Sequence, residues 1–296
     1  MSEYLYFPGC SQRATAKGYD ESFLAIAPRL GVTLKELPDW SCCGTGMALS
    51  VNKTLSLTLA ARNLAIAEQV GTTVVTPCPS CSLTLGKAAH VLQDGGPVAD
   101  NVHSCLAAGG MKYAGGVKVR HLMEVIVNDV GTDKLRAETK RPLTGKRVAP
   151  YYGCQVVRPV ADGDDADDPQ NLEKIIGALG ASAADFPLKT ACCGGALAVT
   201  RPEVGQQMCL DLLKSIKAAK ADIIVTPCPL CQVTLEMAQR QHQKTLGDEA
   251  MVPVMNLTQL IGVAFGLSER ELGLTRALMP AACKRALART EVRAVV

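Results

Sequence analysis

The chain has 296 residues, enough for two compact units of about 150 residues each, and 48% of it is hydrophobic, enough to fill two cores. Charge is nearly balanced, 31 basic against 28 acidic residues, which argues against a nucleic-acid footprint. The opening MSEYLYFPGC has neither a basic start nor a long apolar stretch, and no run of about 18 apolar residues follows; a secretory signal and membrane insertion are not expected, and a cytoplasmic location is.

In chain order, short β-rich runs end at cysteines. Tyr4–Phe7 leads to Cys10, and Val74–Thr76 leads to Cys78. Between them Leu55–Val70 has a helical pattern. Residues 131–146 are polar and basic and read as a linker with a helical turn. They divide the chain into units 1–140 and 141–296. The second unit begins with Val148–Tyr152, which leads to Cys154. The acidic stretch 161–168 reads as a solvated loop, since a calcium loop needs a longer spaced pattern ending in Glu. Glu203–Ala219 has a helical pattern, and Ile223–Thr226 leads to Cys228. The end, Ser268–Val296, is a basic tail, read as a solvated terminal helix, with docking of a partner as the alternative. Alternating strands and helices imply an α/β fold with a parallel sheet in each unit. Ligands of such sheets gather at strand carboxyl ends.

Thirteen cysteines are the strongest signal. A reducing cytosol disfavours disulfides and favours metal or redox chemistry. Ten of them repeat. In the first half 31 residues separate Cys10 from Cys42-Cys43, then 34 lead to Cys78 and two more to Cys81. In the second half 37 residues separate Cys154 from Cys192-Cys193, then 34 lead to Cys228 and two more to Cys231. The flanks match as well: WSCCGTG with TACCGGA, and VVTPCPSC with IVTPCPLC.

Thiolates hold iron–sulfur clusters, and four suffice for an ordinary one. Each repeat offers five, so either a cluster takes an extra thiolate or one cysteine stays free. Structural zinc wants four ligands in a local knuckle. A dithiol redox motif accounts for Cys78 and Cys81 but not for the Cys-Cys-Gly partners. To face one centre, adjacent cysteines need a sharp turn, which Gly44, Gly46, Gly194 and Gly195 permit. Pro77, Pro79, Pro227 and Pro229 stiffen their loops and remove N–H groups near the sulfurs. Cys105, Cys209 and Cys283 fall outside the repeat and are expected as packed thiols. His90, His103, His121 and His242 are expected on surfaces or loops. No GxGxxG or P-loop motif is present, so a flavin or nicotinamide is expected on another subunit.

At these residues the chain resembles the cysteine-cysteine-glycine (CCG) domain family from Cys10 to about Leu274. Two complete copies most resemble the B subunit of heterodisulfide reductase, with the sulfur-oxidising bacterial type among its forms. That resemblance implies two domains related by a pseudo-twofold axis, with a noncubane 4Fe-4S cluster at the strand ends of each. It implies Cys10, Cys42, Cys43, Cys78 and Cys81 as ligands of one cluster. Cys154, Cys192, Cys193, Cys228 and Cys231 are implied for the other. The implied activity is cleavage or formation of a disulfide, or of a lipoate-bound sulfur bond, between the two clusters. Electrons would pass through the family's ferredoxin-like C subunit and its flavin-containing A subunit. The alternative is an electron relay for a quinone- or flavin-linked dehydrogenase, with no disulfide substrate.

Overall fold

The β-rich runs before the cysteines become inner strands of two parallel sheets in the computed structural model, which describes residues 2–157, 164–243 and 251–288. The first sheet contains β1 (Ser2–Tyr6), β2 (Val32–Glu36), β3 (Thr73–Thr76) and β4 (Lys118–His121), in the order β2-β1-β3-β4. The second contains β5 (Arg147–Pro150), β6 (Ser182–Ala183), β7 (Ile223–Thr226) and β8 (Val254–Asn256), in the order β6-β5-β7-β8. Every pairing is parallel, with Leu5 beside Val74 in one sheet and Val148 beside Ile223 in the other. The fold is therefore the repeated α/β architecture that the alternating strand and helix runs imply. The sequence did not mark β2, β4, β6 or β8. All four lie at sheet edges; β2 and β6 are mostly exposed, and β2 and β4 carry charges, so the apolar alternation of these three is weak.

Alternate side chains of the inner strands enter different cores, as a period of two requires. Tyr4 and Tyr6 of β1 point to a central core, and Leu5 and Phe7 to an outer one. In the second half Val225 faces the centre and Ile224 the outside. The outer face of the first sheet is covered by helices Lys53–Val70, Pro79–Asp94 and Pro97–Ala108. The outer face of the second is covered by Pro202–Ala218 and Pro229–Gln241.

The central core belongs to both halves. Helix Lys17–Ile26, which follows β1, packs on helix Leu257–Ala264, which follows β8. Helix Asn171–Ala178, which follows β5, packs on Leu122–Val125 and the π-helical turn Ile126–Val130 after β4. Exchanging the halves exchanges these two contacts, as a pseudo-twofold axis demands. The segment read as a linker contains helix Thr132–Glu138, and buried Leu135 and Leu143 pin it to the central core.

The tail departs from the expectation of a solvated helix. Helix Pro280–Ala288 is held against the second half by buried Ala282 and Cys283, and Lys146 Nζ donates to Ala286 O at 2.6 Å. Met279, Ala282 and Cys283 are buried at the i, i+3, i+4 spacing of one helical stripe, and that stripe requires a covered face. Residues 289–296 of the tail lie outside the described residues. So do 161–163 of the acidic stretch. In the described part of that stretch, Asp164 accepts from the N–H groups of Gln170 and Asn171 at the start of helix Asn171–Ala178.

Candidate metal centres

In a parallel sheet all strand carboxyl ends lie along one edge. Cys10 follows β1, Cys42 and Cys43 follow β2, and Cys78 follows β3. Cys154, Cys192-Cys193 and Cys228 follow β5, β6 and β7 in the same way. Three neighbouring strand ends thus deliver one cysteine group each. Cys78 and Cys228 occupy the N-cap positions of helices Pro79–Asp94 and Pro229–Gln241, with proline in the first turn. Cys81 and Cys231 lie one turn inside.

The paired cysteines are held from outside their loops. Asn63 accepts from Ser41 N–H at 2.8 Å and donates to Ser41 O at 3.1 Å, which fixes the approach to Cys42. Tyr151 donates to Ala191 O at 2.8 Å, just before Cys192. Gly44 has φ +86°, and a Cβ there would lie 2.6 Å from Ser56 O. Gly194 has φ +77°, and its Cβ would lie 2.5 Å from Gly205 O. Both turns accept glycine alone.

Each set of five thiols is brought together. Cys43 is within hydrogen-bonding reach of Cys42 and Cys81, Cys81 also reaches Cys78, and Cys42 feels Cys10. Cys192 pairs with Cys154 and Cys193, while Cys231 pairs with Cys193 and Cys228. The thiols share protons. Donation to Cys43, then burial, pushes Cys42 up, and Cys43 is held down at about 3 by Cys42 and then Cys81. In the second set the Cys192 contact pushes Cys154 up and raises Cys193 to about 11. Cys228 is lowered first by Cys231 and then by the N–H groups of Cys231 and Leu230. The prolines therefore do more than remove donors: at Cys228 the helix start that Pro229 occupies turns its next N–H groups toward the sulfur.

Five thiols this close cannot all ionise without compensating positive charge. Among the described residues no three His, Cys, Asp or Glu side chains surround a single metal-ion position. The sets are defined by the proximity of their thiols. A thiolate-rich, multinuclear iron–sulfur group fits such a donor set.

Each set has a covered and an open side. Cys43, Cys78, Cys81, Cys193, Cys228 and Cys231 are buried, Cys10 and Cys42 are exposed, and Cys154 and Cys192 are half-buried. A cleft of about 50 Å³ opens beside Cys154, Cys192 and Cys193, and Pro79 and Ser80 of the first half close it. There Ser80 donates to Gln155 Oε1.

Four further residues belong to the sites. Gly9 and Gly153 precede the first cysteine of each set at φ +77° and +69°. A Cβ would lie 2.9 Å from Cys81 Sγ at Gly9 and 3.1 Å from Cys231 Sγ at Gly153. Their signal lies in the sequence, where YLYFPGC and VAPYYGC both place glycine before the first cysteine. Tyr19 is fully buried within electrostatic reach of both Cys78 and Cys228, and its hydroxyl donates to Pro227 O at 3.1 Å. His121 is buried, which overturns its expected surface or loop position. Its Nδ1 accepts from Met123 N–H at 3.1 Å, so Nε2 carries the proton and donates to Pro77 O at 3.1 Å. The ring also faces Pro227 O, and burial lowers its pKa to about 4. The equivalent Asn256 also caps its helix, Leu257–Ala264, but donates to Gln232 in place of a cysteine-flanking carbonyl. No local pattern distinguishes such junction residues.

The remaining cysteines divide. Cys209 and Cys283 are packed thiols, each pushed up to about 12 by burial first. Cys105 is exposed, contrary to expectation. Its helix buries Ala99, Val102 and Leu106, and Cys105 lies off that stripe. His90 is exposed on a helix, and His103 and His242 are half-buried.

Two α/β units with matched thiol sets at their strand ends define a cysteine-rich iron–sulfur oxidoreductase component. The pattern of the cysteine-rich domain family, CCG, matches residues 4–86 and 148–236. The chain belongs to that family, in the two-domain form of the heterodisulfide reductase B subunit. It is 34% identical over 279 residues to the heterodisulfide reductase B-subunit-like protein of Archaeoglobus profundus, covering 92% of this chain and 93% of that one. It is 30% identical over 279 residues to the B subunit of the ferredoxin/F(420)H(2)-dependent CoB-CoM heterodisulfide reductase of Methanosarcina acetivorans, covering 93% of each. It is also 37% identical over 283 residues to the membrane anchor subunit of the 8-methylmenaquinol:fumarate reductase of Wolinella succinogenes, covering 95% of this chain and 98% of that one. Among the described residues no helix is long and apolar enough to cross a membrane. A solved hypothetical protein of Helicobacter pylori shares the fold with TM-score 0.72 at 18% identity. The match covers 93% of this chain and 51% of that one, so the chain spans about half of that structure.

Proposed function

We propose that the chain holds one noncubane four-iron cluster in each half and uses the two as a unit to cleave or form a disulfide or a related sulfur bond. Cys10, Cys42, Cys43, Cys78 and Cys81 hold the first, and Cys154, Cys192, Cys193, Cys228 and Cys231 the second. The observation that carries this reading is the meeting of the two Cys-Pro-x-Cys segments, with Tyr19 buried between Cys78 and Cys228 and bonded to Pro227 O. Reductive cleavage of a disulfide takes two electrons and leaves two thiolates to be accommodated. Bound clusters supply one-electron steps and iron sites for sulfur.

The chain's own groups hold and enclose. Tyr19 and His121 fix the carbonyls just before Cys78 and Cys228. Cys10 and Cys42 in one set, and Cys154 and Cys192 in the other, leave an edge open to a substrate or a partner. No side chain here is assigned as an acid–base catalyst. Electrons are exchanged through a ferredoxin-like partner and, beyond it, a flavin-containing one, in the cytoplasm.

Anaerobic reconstitution should give about eight irons per chain. Titration with candidate disulfides should change the cluster spectra. Stoichiometric zinc with negligible iron and sulfide would end this reading.

A second reading is a relay without a sulfur substrate. The small cleft favours it, since about 50 Å³ beside the second set alone leaves little room for a disulfide. So does similarity to a component of a menaquinol:fumarate reductase. A folded variant that lacks one cluster separates the two. Multiple turnover of that variant with a disulfide at near wild-type rate would defeat the paired mechanism, and no disulfide turnover by the fully loaded wild type would favour the relay.

A further inference from the structure

Gln12 is only 1% exposed, and neither its amide nitrogen nor its amide oxygen has a hydrogen-bond partner among the described residues. A buried primary amide without partners is costly, so such a group calls for an explanation. Gln12 stands two residues after Cys10. Its amide end shares the space beside Gly9 with a cysteine sulfur: a Cβ on Gly9 would lie 3.7 Å from Gln12 Oε1 and 2.9 Å from Cys81 Sγ. The unpaired amide therefore borders the first thiol set.

Among the described residues the second set has no equivalent. Two residues after Cys154 stands Val156, packed against the central core. Gln155 is half-exposed, and its carbonyl oxygen accepts from Ser80, so its amide can reach water. Backbone donors do not create this difference at the paired cysteines. Gly44 and Thr45 N–H serve Cys42 and Cys43, as Gly194 and Gly195 N–H serve Cys192 and Cys193.

We infer that the Gln12 amide nitrogen donates to a sulfur of the first cluster and holds that cluster's reduction potential above the value an apolar residue would give. A donor to sulfur stabilises the negative charge that reduction adds. Gln12 in one half and Val156 in the other then bias electrons toward the first cluster. The inference rests on the cluster assignment proposed above.

The test uses the full chain, reconstituted anaerobically, with iron and sulfide measured first. Cluster signals are assigned with Cys78→Ser and Cys228→Ser. Gln12→Met keeps similar bulk and removes the donor. At full iron content its first-cluster potential should shift downward in an EPR-monitored titration, with the second unchanged. Electron–nuclear double resonance on wild-type protein labelled with ¹⁵N-glutamine should show nitrogen coupling to the first cluster, whether or not the variant folds. An unshifted potential at full iron content, or no ¹⁵N coupling in the loaded wild type, overturns the role of Gln12 and leaves the cluster assignment standing. A wild type that takes up no iron overturns both.

Discussion

Glu236 carries the clearest single-residue consequence outside the thiol sets. It is 2% exposed, its Oε2 accepts from Leu278 N–H at 3.1 Å, and its Oε1 has no partner among the described residues. Burial raises its pKa from 4.5 to about 7, while the N–H groups of Leu278 and Met279, and Arg240, pull the other way. The neighbouring Cys283 thiol stays protonated, pushed up to about 12. Folded protein thus holds the Glu236 proton more tightly than the unfolded chain does. The stability this contributes is complete below pH 4.5 and is lost as pH rises through about 7. Urea midpoints of Glu236→Gln should therefore gain on wild type between pH 5 and pH 8. A constant difference across that range would show that Glu236 ionises normally. Nothing in the sequence marks Glu236, because its partners, residues 278 and 279, lie far along the chain.

Elements explain why three cysteine groups reach one place. Each group follows a strand of a parallel sheet, so the sheet edge sets their convergence before any metal binds. The inner strands were legible from β-branched and aromatic runs that end at cysteines. Short edge strands such as Ser182–Ala183 were not, since two residues carry no periodicity. Because each sheet collects its own five thiols, Cys78→Ser should remove about half of the bound iron and mainly the first cluster's signal. Cys228→Ser should remove mainly the second. Both variants should be less stable than the loaded wild type, because metal-binding energy is also folding energy. Equal loss of both signals from either substitution would point to one shared site.

At the scale of the molecule the two halves are one folded object. Tyr4, Tyr6, Phe23 and Ile26 share a core with Ile175, Ile176, Leu260 and Ile261. Ser22 and Thr258 pair at 2.6 Å across it, and Arg276 meets Glu21 at its rim. A boundary near residue 140 is proposed from the repeat, and fragments 1–140 and 141–296 produced separately should expose that apolar face. They should aggregate or lack hydrogen-exchange protection in the central helices, and mixing them should restore it. Two soluble, fully protected fragments would show that the shared core is dispensable.

The doubled cysteine spacing, read with the strand and helix runs around it, was enough to define two matched α/β units and to point to the iron–sulfur class, since ligand type and chain spacing are written along the backbone. Cys-Cys-Gly also announced its turns, because only glycine accepts that geometry next to another backbone. Tertiary structure alone decided the rest: His121 as a buried junction, Cys105 as exposed, the terminal helix as packed, and Gln12 as an unpaired amide beside Cys81. Burial and hydrogen bonding of a polar side chain depend on groups far away in sequence, as Tyr19 depends on Pro227. Such partners meet only once the sheets and central helices have packed.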